Sequence, residues 1–419
     1  MSHPSRTYHD PLHGAITLDA SDPTEALLIQ LIDTPAFQRL RRVRQLGPAS
    51  LTFHGAEGSR FTHSLGVMYV TRCVFDRLLK RYPVLQPHRT VALCAALLHD
   101  LGHGPFSHTC EEIFGGSHEF WTQRILRESS DIRNLLDRCS PTLADEIVRV
   151  YLKQYPLPMV SQMVSSQLDC DRLDYLMRDS YFTGASYGKL DLDRILLALD
   201  YDPETQQLVV VRKGLAAIEH YLVVRYFMYL QVYNHSKNIA ASWMLKCIIH
   251  RAREQFVLGQ LEADDTLTAW LTTVNHDLTL KQYLSADDGV LMYHIQRWCE
   301  SGDEILKDLC VRFRDRNLLK AKNISHLADC ERQFFHQKSI HLLQDKGWDS
   351  NYYTGRQSST TRGYTLYQRG IQVLTERGIC EVSDLSPLVQ TLSQPSLRAW
   401  LIYPREIERE LFSETAHLS

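Results

Sequence analysis

Apolar residues recur at helical spacing along most of the chain, so the hydrophobic pattern predicts a mainly α-helical protein. A first helix reads from Ala26 to Ile32 and stops at Asp33-Thr34-Pro35, where Pro35 opens a successor. There Phe37, Leu40, Val43 and Leu46 keep helical spacing while Arg39, Arg41, Arg42 and Arg44 fill other positions. That segment is amphipathic and basic. Helical spacing returns from Ser64 to Tyr82 and from Arg89 to Leu101, and within the latter Val91 to Leu98 is apolar all round. Such a helix belongs in the core. Further helical runs cover Thr122–Leu136, Leu143–Leu152, Val160–Met177, Leu192–Leu199 and a long stretch from Leu215 to about Cys247. Turn residues mark Asp10-Pro11 and His13-Gly14, and Leu208–Val211 after Asp202-Pro203-Glu204-Thr205 reads as one arm of a β-hairpin.

After about Cys330 the pattern changes. Asp349–Gly378 is rich in Gly, Ser, Thr and Tyr with short β-type runs, and helical spacing resumes at Ser386–Leu392. We expect a main domain over 1–330, with a catalytic core near 35–250, and a small α+β C-terminal subdomain over 331–419. At 419 residues the chain exceeds the usual size of one core, in keeping with that division.

Composition narrows the setting. The formal net charge of -3 exerts no global pull on nucleic acid, which stays a candidate partner that nothing indicates. Ten cysteines without a Cys-x-x-Cys pair argue against a zinc ribbon or disulfide framework and for a reducing cytoplasm. Met1–Asp10 lacks an apolar signal core, and Val91–Leu98 is too short to span a bilayer, so neither secretion nor a membrane span is expected.

Candidate chemistry gathers at the end of the most apolar helix. His99 and Asp100 precede Leu101-Gly102-His103-Gly104-Pro105, where Gly102 and Pro105 stop the helix and let both side chains emerge at its end. One neutral imidazole and one carboxylate make half a site for Zn, Mn or Fe. Alone, a His-Asp pair among 19 histidines is more commonly a surface pair. Here His63 opens another helix, and His103, His108 and His118 crowd the following segment. Further on, Asp171, Tyr175 and Asp179 stand at i, i+4 and i+8, on one helix face. A solvated charged face explains that spacing equally well.

The order His63, His99-Asp100, His103, His108, His118, Asp171 resembles the HD superfamily. Asp10-Pro11-Leu12-His13-Gly14, Asp33-Thr34-Pro35 through Arg39-Leu40, Gln45-Leu46-Gly47, Arg60–Gly66, Leu98–His108, Asp169–Asp179 and Arg225–His235 narrow the resemblance to its dNTP triphosphohydrolase branch. It covers nearly residues 5–250. The implied fold is an HD helical core with a small β-hairpin, and the implied reaction releases intact triphosphate from a deoxynucleoside triphosphate.

Residue by residue, the resemblance implies that His63, His99, Asp100 and Asp171 hold a divalent transition metal (Mn, Fe or Zn), with Mg on the triphosphate. His108 would protonate the leaving 5′-oxygen, oriented by Glu111 where relatives carry Asp. His103, His118 and Glu119 would contact phosphate or support those that do. Arg60, Arg172 and Arg225 would meet the triphosphate, with Lys237 near another basic position. Leu46 would bind substrate, and at the sugar Gln45 and Asp179 would hold the 3′-hydroxyl with Tyr175 and Tyr233 closing against C2′. Tyr233 also reads as core filling in an aromatic-rich helix. Asn234 stands where relatives read the base.

Arg6, Asp33, Gln38 and Arg41 match positions of a nucleotide activator site between subunits in regulated relatives, so a dNTP or GTP activator and a homo-oligomer (dimer or tetramer) are expected. Asp33 reads equally as the N-cap of the next helix, and the basic run Arg312–Lys320 either extends that site or is a plain basic helix. Two other classes compete: an HD phosphodiesterase or nucleotidase for another nucleotide or nucleic-acid end, and a nucleotide- or nucleic-acid-binding regulator without catalysis.

Overall fold

The computed structural model describes residues 5–365 and 370–413, and they form a mainly helical protein with small sheets. The chain opens with an antiparallel hairpin, β1 (Arg6–Asp10) and β2 (Gly14–Leu18). The turn residues were legible in the sequence; the strands were not. Helices α1 (Pro23–Ile32) and α2 (Pro35–Arg39) follow, capped by Asp22 and Thr34. Thr34, not Asp33, is the N-cap of α2; the Asp33 carboxylate instead takes two hydrogen bonds from Arg6 at 2.5 and 2.6 Å. The Pro-started helix is one turn long and tightens into a 3₁₀ turn at Leu40–Arg42.

Next come α3 (Arg60–Arg81), α4 (Arg89–Leu98), α5 (His108–Phe114), α6 (His118–Glu128), α7 (Ser130–Cys139), α8 (Leu143–Tyr151), α9 (Pro158–Val164) and α10 (Cys170–Thr183). Helix α4 is the hub: Val91–Leu98 is buried throughout, against α1, α3, α8 and α9. Two predicted helices are each two. Thr122–Leu136 breaks at Ser129 between α6 and α7, and Val160–Met177 breaks between α9 and α10. In the second break Asp169 accepts from Arg172 N and Ser166 N, both at 2.7 Å. This cap restarts the helix so that Asp171 stands in its first turn.

After α11 (Leu192–Ala198), strands β3 (Leu199–Asp202) and β4 (Gln207–Val211) form the predicted hairpin. The long Leu215–Cys247 stretch is α12 (Leu215–Met228), a π-turn at Tyr229–Tyr233, and α13 (Ser236–Val257). Helices α14 (Asp265–Thr272), α15 (Leu280–Leu284), α16 (Asp288–Trp298) and α17 (Glu304–Arg314) precede β5 (Lys320–Asn323) and α18 (Asp329–Asp345).

The segment after residue 331 is α+β, and its strands close sheets begun earlier. β7 (Gln372–Thr375) lies parallel to β4 and pairs with β8 (Gly378–Glu381), giving the order β3-β4-β7-β8. β9 (Ser396–Tyr403) sits between β5 and β6 (Gly355–Thr361). Val373 and Val389 join the core around α4, whereas Leu401 and Ile402 join a second core built on α13–α17.

Candidate metal and phosphate site

Three helices deliver the candidate ligand set. His63 stands in the first turn of α3, His99 and Asp100 just past the end of α4, and Asp171 in the first turn of α10. Asp171 Oδ1 lies 3.0 Å from His63 Nε2 and 3.7 Å from His99 Nε2. Asp100 lies 3.6 Å from His63 Nε2 through Oδ2 and 3.3 Å from His99 Nε2 through Oδ1.

Each imidazole is fixed from behind: His63 Nδ1 donates to Asp174 Oδ2 at 2.7 Å, and His99 Nδ1 to Ala96 O at 2.9 Å. Both Nε2 atoms therefore carry bare lone pairs, and both are buried without a hydrogen-bond partner. A buried polar atom without a partner is costly. Two of them aimed at one pair of carboxylates fit a divalent cation. Burial works against protonation of His63, but the carboxylates of Asp171, Asp174 and Asp100 prevail and raise its pKa to about 10, so a proton and a cation compete for the Nε2 lone pair. Burial likewise opposes the Asp100 carboxylate, yet Arg60, His99 and His103 hold it well below the usual carboxylate range.

Behind the ligands runs a network that the sequence did not single out. Asp174 is fully buried; it accepts from His13 Nε2 at 2.6 Å and from Arg178 at 2.7 and 3.0 Å, and Arg178 also reaches Asp10 at 2.8 Å. The Asp10…His13 turn thus serves to orient His63. Gly66 makes room: a Cβ there would strike the Asp174 carboxylate and the Arg178 guanidinium. Asp174→Asn is expected to weaken metal binding by about 10- to 100-fold. Chelator competition beside a thermal unfolding curve checks this; unchanged affinity in a folded variant would refute the role.

The second cluster is His103, His108, Glu111 and His118, whose ligand-type atoms lie within 4.8 Å of one another. His103 and His118 stack at 4.0 Å. His103 Nε2 faces Asp100 Oδ1 at 3.2 Å, and burial, Arg60 and His118 push its pKa well below the ordinary histidine value, so the ring is neutral. Glu111 was expected to orient His108. Its Oε1 instead lies 2.5 Å from His118 Nδ1 and 3.8 Å from His108 Nδ1, beyond hydrogen-bond length. His108 is exposed at the mouth.

His108 is delivered by an unusual corner. Phe106 and Ser107 both have positive φ, 57° and 56°, costly for residues with side chains. Asp288, at the start of α16, holds it: Oδ1 accepts from Phe106 N at 2.7 Å and Oδ2 from Arg44 N at 3.0 Å. Ser107 Oγ donates to Arg44 O at 2.6 Å and accepts from Arg60 Nε at 2.9 Å. Arg39, predicted only as part of a basic face, is buried and donates to His103 O at 2.6 Å and Ala286 O at 3.0 Å. Residues far along the chain therefore clamp the loop that carries His108.

A cavity of about 470 Å³ joins these parts. Gln45, Leu46, Arg60, His99, Asp100, His103, His108, His118, Glu119, Asp171, Arg172, Tyr175, Asp179 and Tyr233 line it, together with Thr122, Tyr151, Val164, Ser165 and Tyr229, which sequence reasoning missed. His63 sits beneath the floor. Asp171, Tyr175 and Asp179 do share the face that borders the cavity. Tyr233, which read equally as core filling, lines it from the π-turn and donates to Asp179 Oδ2 at 2.8 Å.

Three expected contacts are absent from the lining. Arg225 is buried and donates to Gln167 Oε1 at 2.8 Å, bracing the break between α9 and α10. Asn234 and the exposed Lys237 also stay outside. At the N-terminal segment, Arg6 pairs with Asp33, Gln38 Oε1 accepts from Arg41 Nε at 2.8 Å, and the Arg41 guanidinium lies 3.6 Å over the Phe61 ring.

Two bare, buried imidazole nitrogens facing two carboxylates on the floor of a polar cavity could hold a divalent metal ion in this helical fold. Comparison with known proteins gives the family. The HD domain matches residues 60–178, and the HD associated region matches residues 190–345. The chain is 36% identical over 412 residues to the uncharacterized protein YwfO of Bacillus subtilis, spanning 96% of this chain and 93% of that protein. Over 114 residues it is 46% identical to the deoxynucleoside triphosphate triphosphohydrolase SAMHD1 of Danio rerio, spanning 26% of this chain and 17% of that protein. Among solved structures it resembles a phosphohydrolase from Bacteroides thetaiotaomicron, with a TM-score of 0.85 and 29% identity over 96% of this chain and all of that one. The chain belongs to the HD-domain phosphohydrolase family. No helix among the described residues is long and apolar enough to cross a membrane.

Proposed function

We propose that the protein hydrolyses deoxynucleoside triphosphates to deoxynucleoside and inorganic triphosphate. The observation that carries this reading is the sugar-sized polar end beside the metal face. Tyr175 and Tyr233 meet edge-to-face at 6.1 Å, Tyr233 holds Asp179, and Gln45 Oε1 lies buried without a partner. A phosphodiesterase or nucleotidase has no use for that end. Two aromatic rings exclude a ribose 2′-hydroxyl, while Asp179 and Gln45 offer hydrogen bonds to a 3′-hydroxyl.

A divalent cation held by His63, His99, Asp100 and Asp171 supplies Lewis acidity toward the phosphoryl oxygens and acidifies water. The chain's own groups do the rest. Arg60 and Arg172 flank the polyphosphate. Water oxygen bonds to the α-phosphorus and loses a proton to solvent, the P–O5′ bond breaks, and His108 gives its proton to O5′ as the deoxynucleoside leaves, regaining one from solvent afterwards. Neutral His103 contacts phosphate without adding charge, and Glu111 holds His118 in place.

Turnover of each dNTP and NTP, with products separated by ion exchange, tests the reading. Triphosphate and deoxynucleoside from dNTPs, with little from NTPs, is the expected result. Orthophosphate, monophosphates or equal use of NTPs would refute it.

A pH dependence follows at the sugar. Burial raises Asp179 to about 7, against the hydrogen bond from Tyr233. The carboxylate, the better acceptor, is thus populated as pH rises through 7. Discrimination of dNTPs over their 3′-deoxy analogues in kcat/KM is expected to grow over that range and to flatten in Asp179→Asn. For folding the sign is opposite: a raised acid favours the native state below its folded pKa, and that contribution is lost as pH rises through 7.

A further inference from the structure

A cavity of about 710 Å³ lies outside the catalytic site, between α18, the edge strand β6 and β9. Its volume falls in the range of small-molecule sites. One side is cationic. Arg332 is fixed by two backbone carbonyls, Nε to Ile324 O at 3.1 Å and Nη2 to Ser325 O at 2.7 Å. Its nearest acid is Asp329, 3.9 Å from Nη1 with a side chain 91% exposed, so water screens that pair. Arg356 borders the same cavity and, among the described residues, has no ion pair or hydrogen bond from its guanidinium. His336 shares this wall, and burial together with the Arg356 charge keeps its ring below the ordinary histidine range. Gln357 Oε1 is buried there without a partner. Ile340, Leu397 and Trp400 supply apolar lining.

A pre-set guanidinium, a second free one and an apolar wall suit an anion with a hydrophobic body, and guanidinium forks match phosphate oxygens. We propose that this cavity binds a small organic phosphate, its phosphate on Arg332 and Arg356 and its body against Ile340, Leu397 and Trp400. No carboxylate–imidazole pair is hydrogen-bonded there, so the site binds rather than reacts. Leu401 and Ile402 on β9 share the second core with Phe106 beside the catalytic loop, which places the ligand on a body that contacts the active site.

The test uses full-length Asp171→Ala protein, in which hydrolysis is disabled, titrated calorimetrically with ADP, inorganic phosphate and adenosine, and separately photo-cross-linked with 8-azido-ADP. We expect an ADP equivalent that weakens about tenfold or more when Arg356→Glu is added, with cross-links on residues 329–358 or 397–400. ADP should bind tighter than phosphate or adenosine alone. Arg356 is exposed and, among the described residues, its guanidinium has no partner, so thermal unfolding should not move; Arg332→Lys, which keeps the charge but loses the fork, should weaken binding less. Identical isotherms in the Arg356 variant, or cross-links confined to the catalytic cavity, would overturn the proposal. So would a fall in oligomeric mass with unchanged ADP binding, which would assign the cavity to contact between copies. Because hydrolysis plays no part in the readout, failure here leaves the dNTP reading untouched.

Discussion

Asp171→Ala is expected to lose metal and turnover together, with kcat down at least about 1,000-fold, or roughly 4 kcal/mol. Both carboxylates face the two imidazole nitrogens, Asp171 at 3.0 and 3.7 Å and Asp100 at 3.6 and 3.3 Å, but Asp100 is also engaged by Arg60 at 2.5 Å and His103 at 3.2 Å. Removing Asp171 leaves two neutral imidazoles and one carboxylate already neutralised by a guanidinium. Metal content by elemental analysis, read beside turnover, checks this. A variant that keeps stoichiometric metal and near-native kcat would contradict the ligand assignment.

His108→Ala is expected to lower kcat by about 100- to 10,000-fold on dNTPs, because the 5′-oxygen of a deoxynucleoside leaves poorly without a proton. On an analogue whose α-phosphate carries a nitrophenolate leaving group, the loss should shrink to a few-fold. His108 is exposed, so truncation should not disturb folding. The comparison with His118→Ala matters because Glu111 hydrogen-bonds His118 and not His108. If the leaving-group dependence follows His118, that ring is the acid and His108 a phosphate contact.

The convergence of His63, His99, Asp100 and Asp171 was legible in the sequence because they lie at structural punctuation. A helix apolar on every face must be buried, so whatever follows its stop signal emerges inside the molecule. His99 and Asp100 do so. Asp171, Tyr175 and Asp179 were legible as a face because four-residue spacing fixes their direction. What supports them was not. His13 and Asp174 are 161 residues apart and Phe106 and Asp288 182 apart, and neither pairing leaves a periodic trace. The break at Ser165–Asp169 was hidden because apolar spacing continues through it, although Asp169 before Cys170-Asp171-Arg172 is a cap signal. The resemblance implied that Arg225 meets the triphosphate, and nothing in it says that Gln167 takes its guanidinium in this structure. The late strands β7 and β9 complete sheets begun by β4 and β5, a non-local pairing that composition shifts cannot display.

Attack at the α-phosphorus is the central claim, and oxygen labelling reads it directly. Hydrolysis of a dNTP in ¹⁸O-water, followed by mass spectrometry of both products, should place one label in the released triphosphate and none in the deoxynucleoside. Label in the deoxynucleoside would mean attack at carbon, and label in orthophosphate attack at the γ-phosphorus. Either result would contradict hydrolysis at the α-phosphorus with His108 as the proton donor to the 5′-oxygen.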